Sequence, residues 1–180
     1  MKKKKIDFES GGWAGINRFS AAGLLETFFQ FHDLATAKNL LSDMMAYSRK
    51  EKVLRKENPF EVFYFYLALR SLVRAGYRLQ FKAKNLKFQA TAEPVVVSGL
   101  MLGSLSEEEY RNPVLVFRKT FREFTIYDFD SYLSEITCFS LGTFCTGPER
   151  DTVTPFLHLN KILDAAQLIV ERAAVAQTTE

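Results

Sequence analysis

The chain is poor in the residues that most often carry chemistry, with two cysteines, two histidines and one tryptophan among 180 residues. Each scarcity excludes something. Cys138 and Cys145 are separated by six residues, too widely for a redox Cys-x-x-Cys pair and with too few companions for a zinc site. His32 and His158 belong to no His-x-x-x-His or Glu-x-x-His spacing that would set two ligands on one helical face. No metal site or cofactor is expected. Long hydrophobic runs are also missing, since Phe60 to Val73 is broken by Glu61 and Arg70, and Val95 to Leu105 by Ser98 and Gly99. Both fall short of the roughly 20 residues that span a bilayer, so no integral membrane association is expected. The Met-Lys-Lys-Lys-Lys start is followed by Asp7 and Glu9 where a secretory signal needs apolar residues. A soluble cytoplasmic protein with reduced thiols is the expectation.

What the chain does hold is segregated charge. Residues 49 to 87 carry eleven Lys/Arg against three Asp/Glu, and residues 88 to 180 carry seven against thirteen, so the two parts lean to +8 and −6 within a net charge of +3. A basic middle of this kind faces either an acidic partner or the chain's own acidic half, the acidic helix at Glu107 to Glu109 included. Seventeen phenylalanines spread along the chain supply a well-packed core and leave room for an aromatic-lined pocket.

The spacing predicts a mainly α, single-domain bundle of about seven helices over residues 1–180, with 1–15 and 177–180 flexible. Asn58-Pro59, Asn112-Pro113 and Thr154-Pro155 each place a capping oxygen before a proline whose missing N–H costs nothing in a first turn. Ser20 and Asp33 open two earlier helices, and Ser106 with Glu109 writes a capping box. The helix after Pro59 is apolar on most sides and therefore central, and Gly76 reads as its left-handed stop. After it, Leu79, Phe81 and Ala83 alternate with polar residues, and Leu86, Phe88 and Ala90 resume out of phase, the pattern of a small antiparallel β-hairpin at about 78–90. Residues 94–102 read equally as a third strand or a short buried helix. The last helix, from Pro155 to about Val175, carries Leu159, Ile162, Ala166, Ile169 and Ala173 as a stripe.

Two strings look catalytic. Ser10-Gly11-Gly12-Trp13-Ala14-Gly15 is glycine-rich but lacks the Gly-Lys-Ser/Thr ending of a phosphate loop, and reads as a flexible leading segment. Thr125-Ile126-Tyr127-Asp128-Phe129-Asp130-Ser131 resembles the nucleophile loop of haloacid-dehalogenase-like phosphatases. That resemblance implies attack on phosphorus by Asp128, acid–base work by Asp130 and a nearby Mg²⁺. It covers seven residues, and only about fifty follow, which read as two helices rather than the family's parallel sheet. Helix capping by Asp128 or Asp130 is the better reading.

The leading functional expectation is a non-enzymatic binding or regulatory module that meets an acidic protein or nucleic acid through Arg49, Lys50, Lys52, Arg55, Lys56, Arg78, Lys82 and Lys87. A second is a small-ligand binder or enzyme with an aromatic pocket, for which Tyr64, Tyr66, Asp128, Asp130 and His158 are the candidates. A third is a structural homodimer formed through the stripe of the last helix.

Overall fold

The computed structural model describes residues 7–15, 20–50, 52–54, 58–82, 103–143 and 151–178, and over these the chain is mainly helical. Eight helices follow one another: α1 (Gly11–Ala14), α2 (Ala21–Phe31), α3 (Leu34–Ser48), α4 (Pro59–Lys82), α5 (Glu107–Arg111), α6 (Val114–Glu123), α7 (Ile126–Leu141) and α8 (Val153–Thr178). No strand occurs among the described residues.

Local caps set most of the boundaries. Ser20 accepts the Gly23 N–H and Asp33 the Thr36 N–H, each satisfying a donor that the first turn leaves without a partner. Asn58 accepts the Phe60 N–H at 3.0 Å. Ser106 with Glu109, and Thr125 with Asp128, form reciprocal capping boxes at α5 and α7. At α8 the cap is Asp151, whose Oδ1 accepts the N–H groups of Val153 and Thr154, so that helix starts ahead of the Thr154-Pro155 pair.

Helix α4 is the hub, in contact with α1, α2, α6, α7 and α8. Val62, Phe65, Ala68, Leu69, Leu72, Val73, Ala75 and Leu79 are all buried on it. Each large apolar side chain so enclosed contributes about 1.5–3 kcal/mol. The remaining interfaces join α3 to α7 and α8, α2 to α8, and α5 and α6 to each other and to α8. The stripe of α8 is absorbed here, with Leu159, Ile162, Ala166 and Ile169 buried within the chain's own core.

Two expectations about α4 need correction. Gly76 does not end the helix, which continues to Lys82, so Arg78 to Lys82 are helical and not the first strand of a hairpin. The reason is packing. A Cβ at Gly76 would lie 2.7 Å from Cδ1 and Cε1 of Phe117, so the glycine lets α6 press its aromatic ring onto the α4 backbone. Alternation over so few residues is also compatible with a helix end, where Leu79 turns inward and Phe81 outward. The return half of the expected hairpin and the 94–102 segment lie outside the described residues.

Polar clamps close the seams between helices. Lys38 of α3 reaches the buried carboxylate of Asp164 on α8 at 2.6 Å, and the Ser104 hydroxyl donates to the same carboxylate. Glu109 of α5 is buried and joined to Lys161 of α8 at 2.8 Å and to Lys119 of α6 at 3.3 Å. Burial pushes the Glu109 carboxyl up, but those ammonium groups and the Ser106 N–H outweigh it and hold it at about 2. Arg172 donates to the carbonyls of Tyr110 and Arg111, covering acceptors that the end of α5 leaves open.

The contact at Gly76 yields a prediction. Alanine is the better helix former by about 1 kcal/mol, yet overpacking a filled core costs about 1–3 kcal/mol. Gly76→Ala should therefore lower the unfolding free energy measured in urea. Adding Phe117→Leu should return stability relative to Phe117→Leu alone, because the smaller side chain makes room for the methyl group.

Candidate ligand-binding cleft

Helical period places the lining of a cleft at one end of the molecule. On α3, Thr36, Asn39, Leu40 and Asp43 recur at steps of three and four and so share a face. The first turns of α4 present Phe60, Glu61 and Tyr64 in the same way, the end of α2 adds Phe31 and His32, and α1 adds Trp13. Together they enclose about 690 Å³, within the range of roughly 300–1,000 Å³ typical of small-molecule sites.

Trp13 forms the inner wall. Although it belongs to a helix of four residues, it is only 7% exposed, edge-on to Phe28 and to Phe31 at centroid distances of 6.4 and 5.8 Å. Its indole N–H donates to the Ser71 hydroxyl at 2.9 Å. Residues 7–15, expected to be a flexible leading segment, are thus docked on α4, where Ser71 is buried. A second tie lies behind it. Arg74, buried on α4, pairs with Glu9 at 3.0 Å and with Asp130 of α7 at 2.6 Å, and Arg70 pairs with the same two carboxylates. Burial pushes the Asp130 carboxyl up, but the two guanidinium groups hold it below its ordinary value.

The outer wall is open and aromatic. Phe60 and Phe31 are 60% and 61% exposed, and Phe60 packs on Tyr64 with ring centroids 4.3 Å apart. Exposed aromatic side chains on both sides of a concavity are unfavourable in water unless something covers them. His32 closes the floor, its ring 5.4 Å from Phe28 and 5.2 Å from Phe65. Burial pushes the imidazole below its ordinary value, with Asp33 only partly opposing, so the ring is neutral at neutral pH. Asp43 and Glu61 complete the lining, and neither makes an ion pair among the described residues.

The residues singled out from the sequence scatter. Tyr64 lines the cleft, while Tyr66 is half-buried beneath the Arg70 guanidinium at 5.4 Å. Asp128 is the capping-box partner of Thr125, and Asp130 serves the arginine pair, so the Asp-x-Asp string occupies the first turns of a helix rather than a loop after a strand. His158 lies elsewhere, its Nδ1 3.0 Å from Thr120 Oγ1 and its Nε2 3.1 Å from Glu123. It shares no contact with His32.

The basic segment is divided. Arg49 donates to Thr152 across the gap between α3 and α8, Lys50 lies over the Tyr47 ring, Lys52 is exposed, and Arg78 is on the last turns of α4. Lys82 ends α4, and Arg55, Lys56 and Lys87 lie outside the described residues. Among the described residues the acidic helix α5 takes its cations from its own Arg111 and from Lys119 and Lys161. Among the described residues no group of three or more His, Cys, Asp or Glu side chains is placed to hold a metal ion.

No protein-family model, no curated protein and no solved structure matches the chain. The cleft stands on its own chemistry. Trp13, Phe31, His32 and the polar face of α3 were not singled out as a site from the sequence. One signal was available: a lone tryptophan is a costly residue to leave on a flexible segment, because its large apolar surface gains most from burial.

The neutral His32 makes stability depend on pH. Its folded pKa is depressed, so as pH falls below the unfolded value of 6.5 the unfolded chain gains a proton that the folded chain refuses. Stability should decline from pH 7.5 to 5.5 in urea titrations. His32→Gln should flatten the part of the slope that His32 causes, with His158 present in both proteins.

Proposed function

We propose that this chain is a small-molecule-binding protein whose ligand occupies the aromatic cleft between α1, α2, α3 and α4. The observation that carries the reading is the pairing of a cavity of about 690 Å³ with aromatic side chains left exposed on its outer wall. Apolar bodies are retained by area removed from water, about 25 cal/mol per Å², and a few polar groups fix their orientation. Thr36, Asn39, Asp43 and Glu61 are such groups, and all four lie toward the α3 and α4 sides. The reading is one of binding. The Thr36 hydroxyl is engaged by the Asp33 carboxylate that caps α3, and the His32 imidazole packs against Phe28 and Phe65.

The alternative of a basic docking surface draws less support, since Arg70 and Arg74 serve internal pairs and Arg49 bridges two helices. The α8 stripe, being buried in the same chain, gives no support to a homodimer built on it.

The sole tryptophan makes a direct test possible. The neutral, environment-sensitive fluorophore N-phenyl-1-naphthylamine should bind saturably, with energy transfer from Trp13. A Phe60→Ala/Tyr64→Ala variant should weaken its binding about tenfold, whereas Leu157→Ala, exposed at the start of α8, should leave it unchanged. Absence of saturable transfer in the parent protein, or equal affinity in all three, would contradict the reading.

A further inference from the structure

Resting on that reading, we infer that the natural ligand class of the cleft is a bulky organic cation, a quaternary or otherwise heavily substituted ammonium carrying an apolar body. Three carboxylates of the bundle are neutralised from within: Glu109 by Lys119 and Lys161, Asp164 by Lys38, Asp130 by Arg70 and Arg74. The lining of the cleft differs from these. Asp43, half-buried on α3, and Glu61, on the first turn of α4, both line the cavity, and among the described residues no lysine or arginine lines it with them. With His32 neutral, the described lining carries two negative charges on a chain whose net charge is +3.

The walls fit the same charge. Trp13, Phe31, Phe60 and Tyr64 surround the cavity on three elements, and the faces of such rings carry the negative lobe of an aromatic quadrupole. Cation–π attraction is strongest at desolvated sites and over tryptophan. An anionic ligand would meet repulsion from both carboxylates and from any ring face turned toward it. A small, strongly hydrated cation would not suit the site either, because an aromatic wall cannot replace the water it surrenders. A substituted ammonium spreads its charge over methyl or methylene groups, and so meets apolar walls and carboxylates at once. Asn39 and Thr36, on the same face of α3 as Asp43, supply hydrogen-bonding groups for a polar substituent.

The test compares isosteres in competition with bound N-phenyl-1-naphthylamine. Benzyltrimethylammonium and neopentylbenzene have the same shape and differ in the charge at one atom, and phenylmethanesulfonate supplies the opposite sign. The cation should displace the probe at a concentration at least fivefold lower than the neutral isostere, with the anion weakest of the three. In an Asp43→Asn/Glu61→Gln protein, which keeps shape and aromatic walls, the ratio between cation and neutral isostere should shrink to within about twofold, and a ratio that stays fivefold or more would overturn the role of the two carboxylates. If the cation displaces no better than the neutral isostere, or neither displaces, while the probe still binds saturably, the cationic class is overturned and the cleft survives. If the probe does not bind the parent protein, the cleft reading falls with it.

Discussion

A buried guanidinium organises this fold. The Arg74 side chain is 8% exposed on the central helix, and its charge is tolerable there because carboxylates from two distant parts of the chain converge on it. Asp130 brings α7 to α4, and Glu9 brings the segment that leads into α1. Arg70, one turn earlier, shares both carboxylates, so the four side chains make a network in which each charge faces an opposite one. The cleft is downstream of this arrangement. Trp13 follows Glu9 by four residues, and its place between Phe28, Phe31 and Ser71 requires the leading segment to lie along α4.

The network also answers the question posed by the segregated charge. Part of the basic middle does face the acidic half, through Arg70 and Arg74 meeting Asp130. Among the described residues the acidic helix α5 is paired with Arg111, Lys119 and Lys161, which come from the same acidic half. At the cleft, Asp43 and Glu61 have no lysine or arginine beside them in the described lining, and the ligand class rests on that.

Legibility in the sequence followed distance along the chain. Caps at Ser20, Asp33, Asn58 and Ser106 act within three residues, and their positions were readable because the donors they satisfy are fixed by the helix itself. Asp128 was readable for the same reason. Asp130, two residues on, was not, because its partners are 56 and 60 positions away. Gly76 shows the opposite failure. Its composition suggested a stop, whereas its role is set by Phe117, about forty residues later in the chain. A period-two pattern over Leu79 and Phe81 then invited a strand where the helix simply continued. The cleft was least visible of all, since its lining comes from four helices and only Tyr64 had stood out.

If the Arg74 network joins α4 to α7 as a unit, a double-mutant cycle on Arg74 and Asp130 will show it as a coupling energy. Unfolding free energies would be measured in urea for the parent, Arg74→Met, Asp130→Leu and the combined variant. Removing either partner alone leaves a buried charge short of its counterion and should cost about 3 kcal/mol. The combined variant, which removes both charges and keeps apolar volume, should cost no more than the worse single change, a coupling of at least about 2 kcal/mol. Additive costs, with a coupling within about 0.5 kcal/mol of zero, would show that the pair does not hold the helices together.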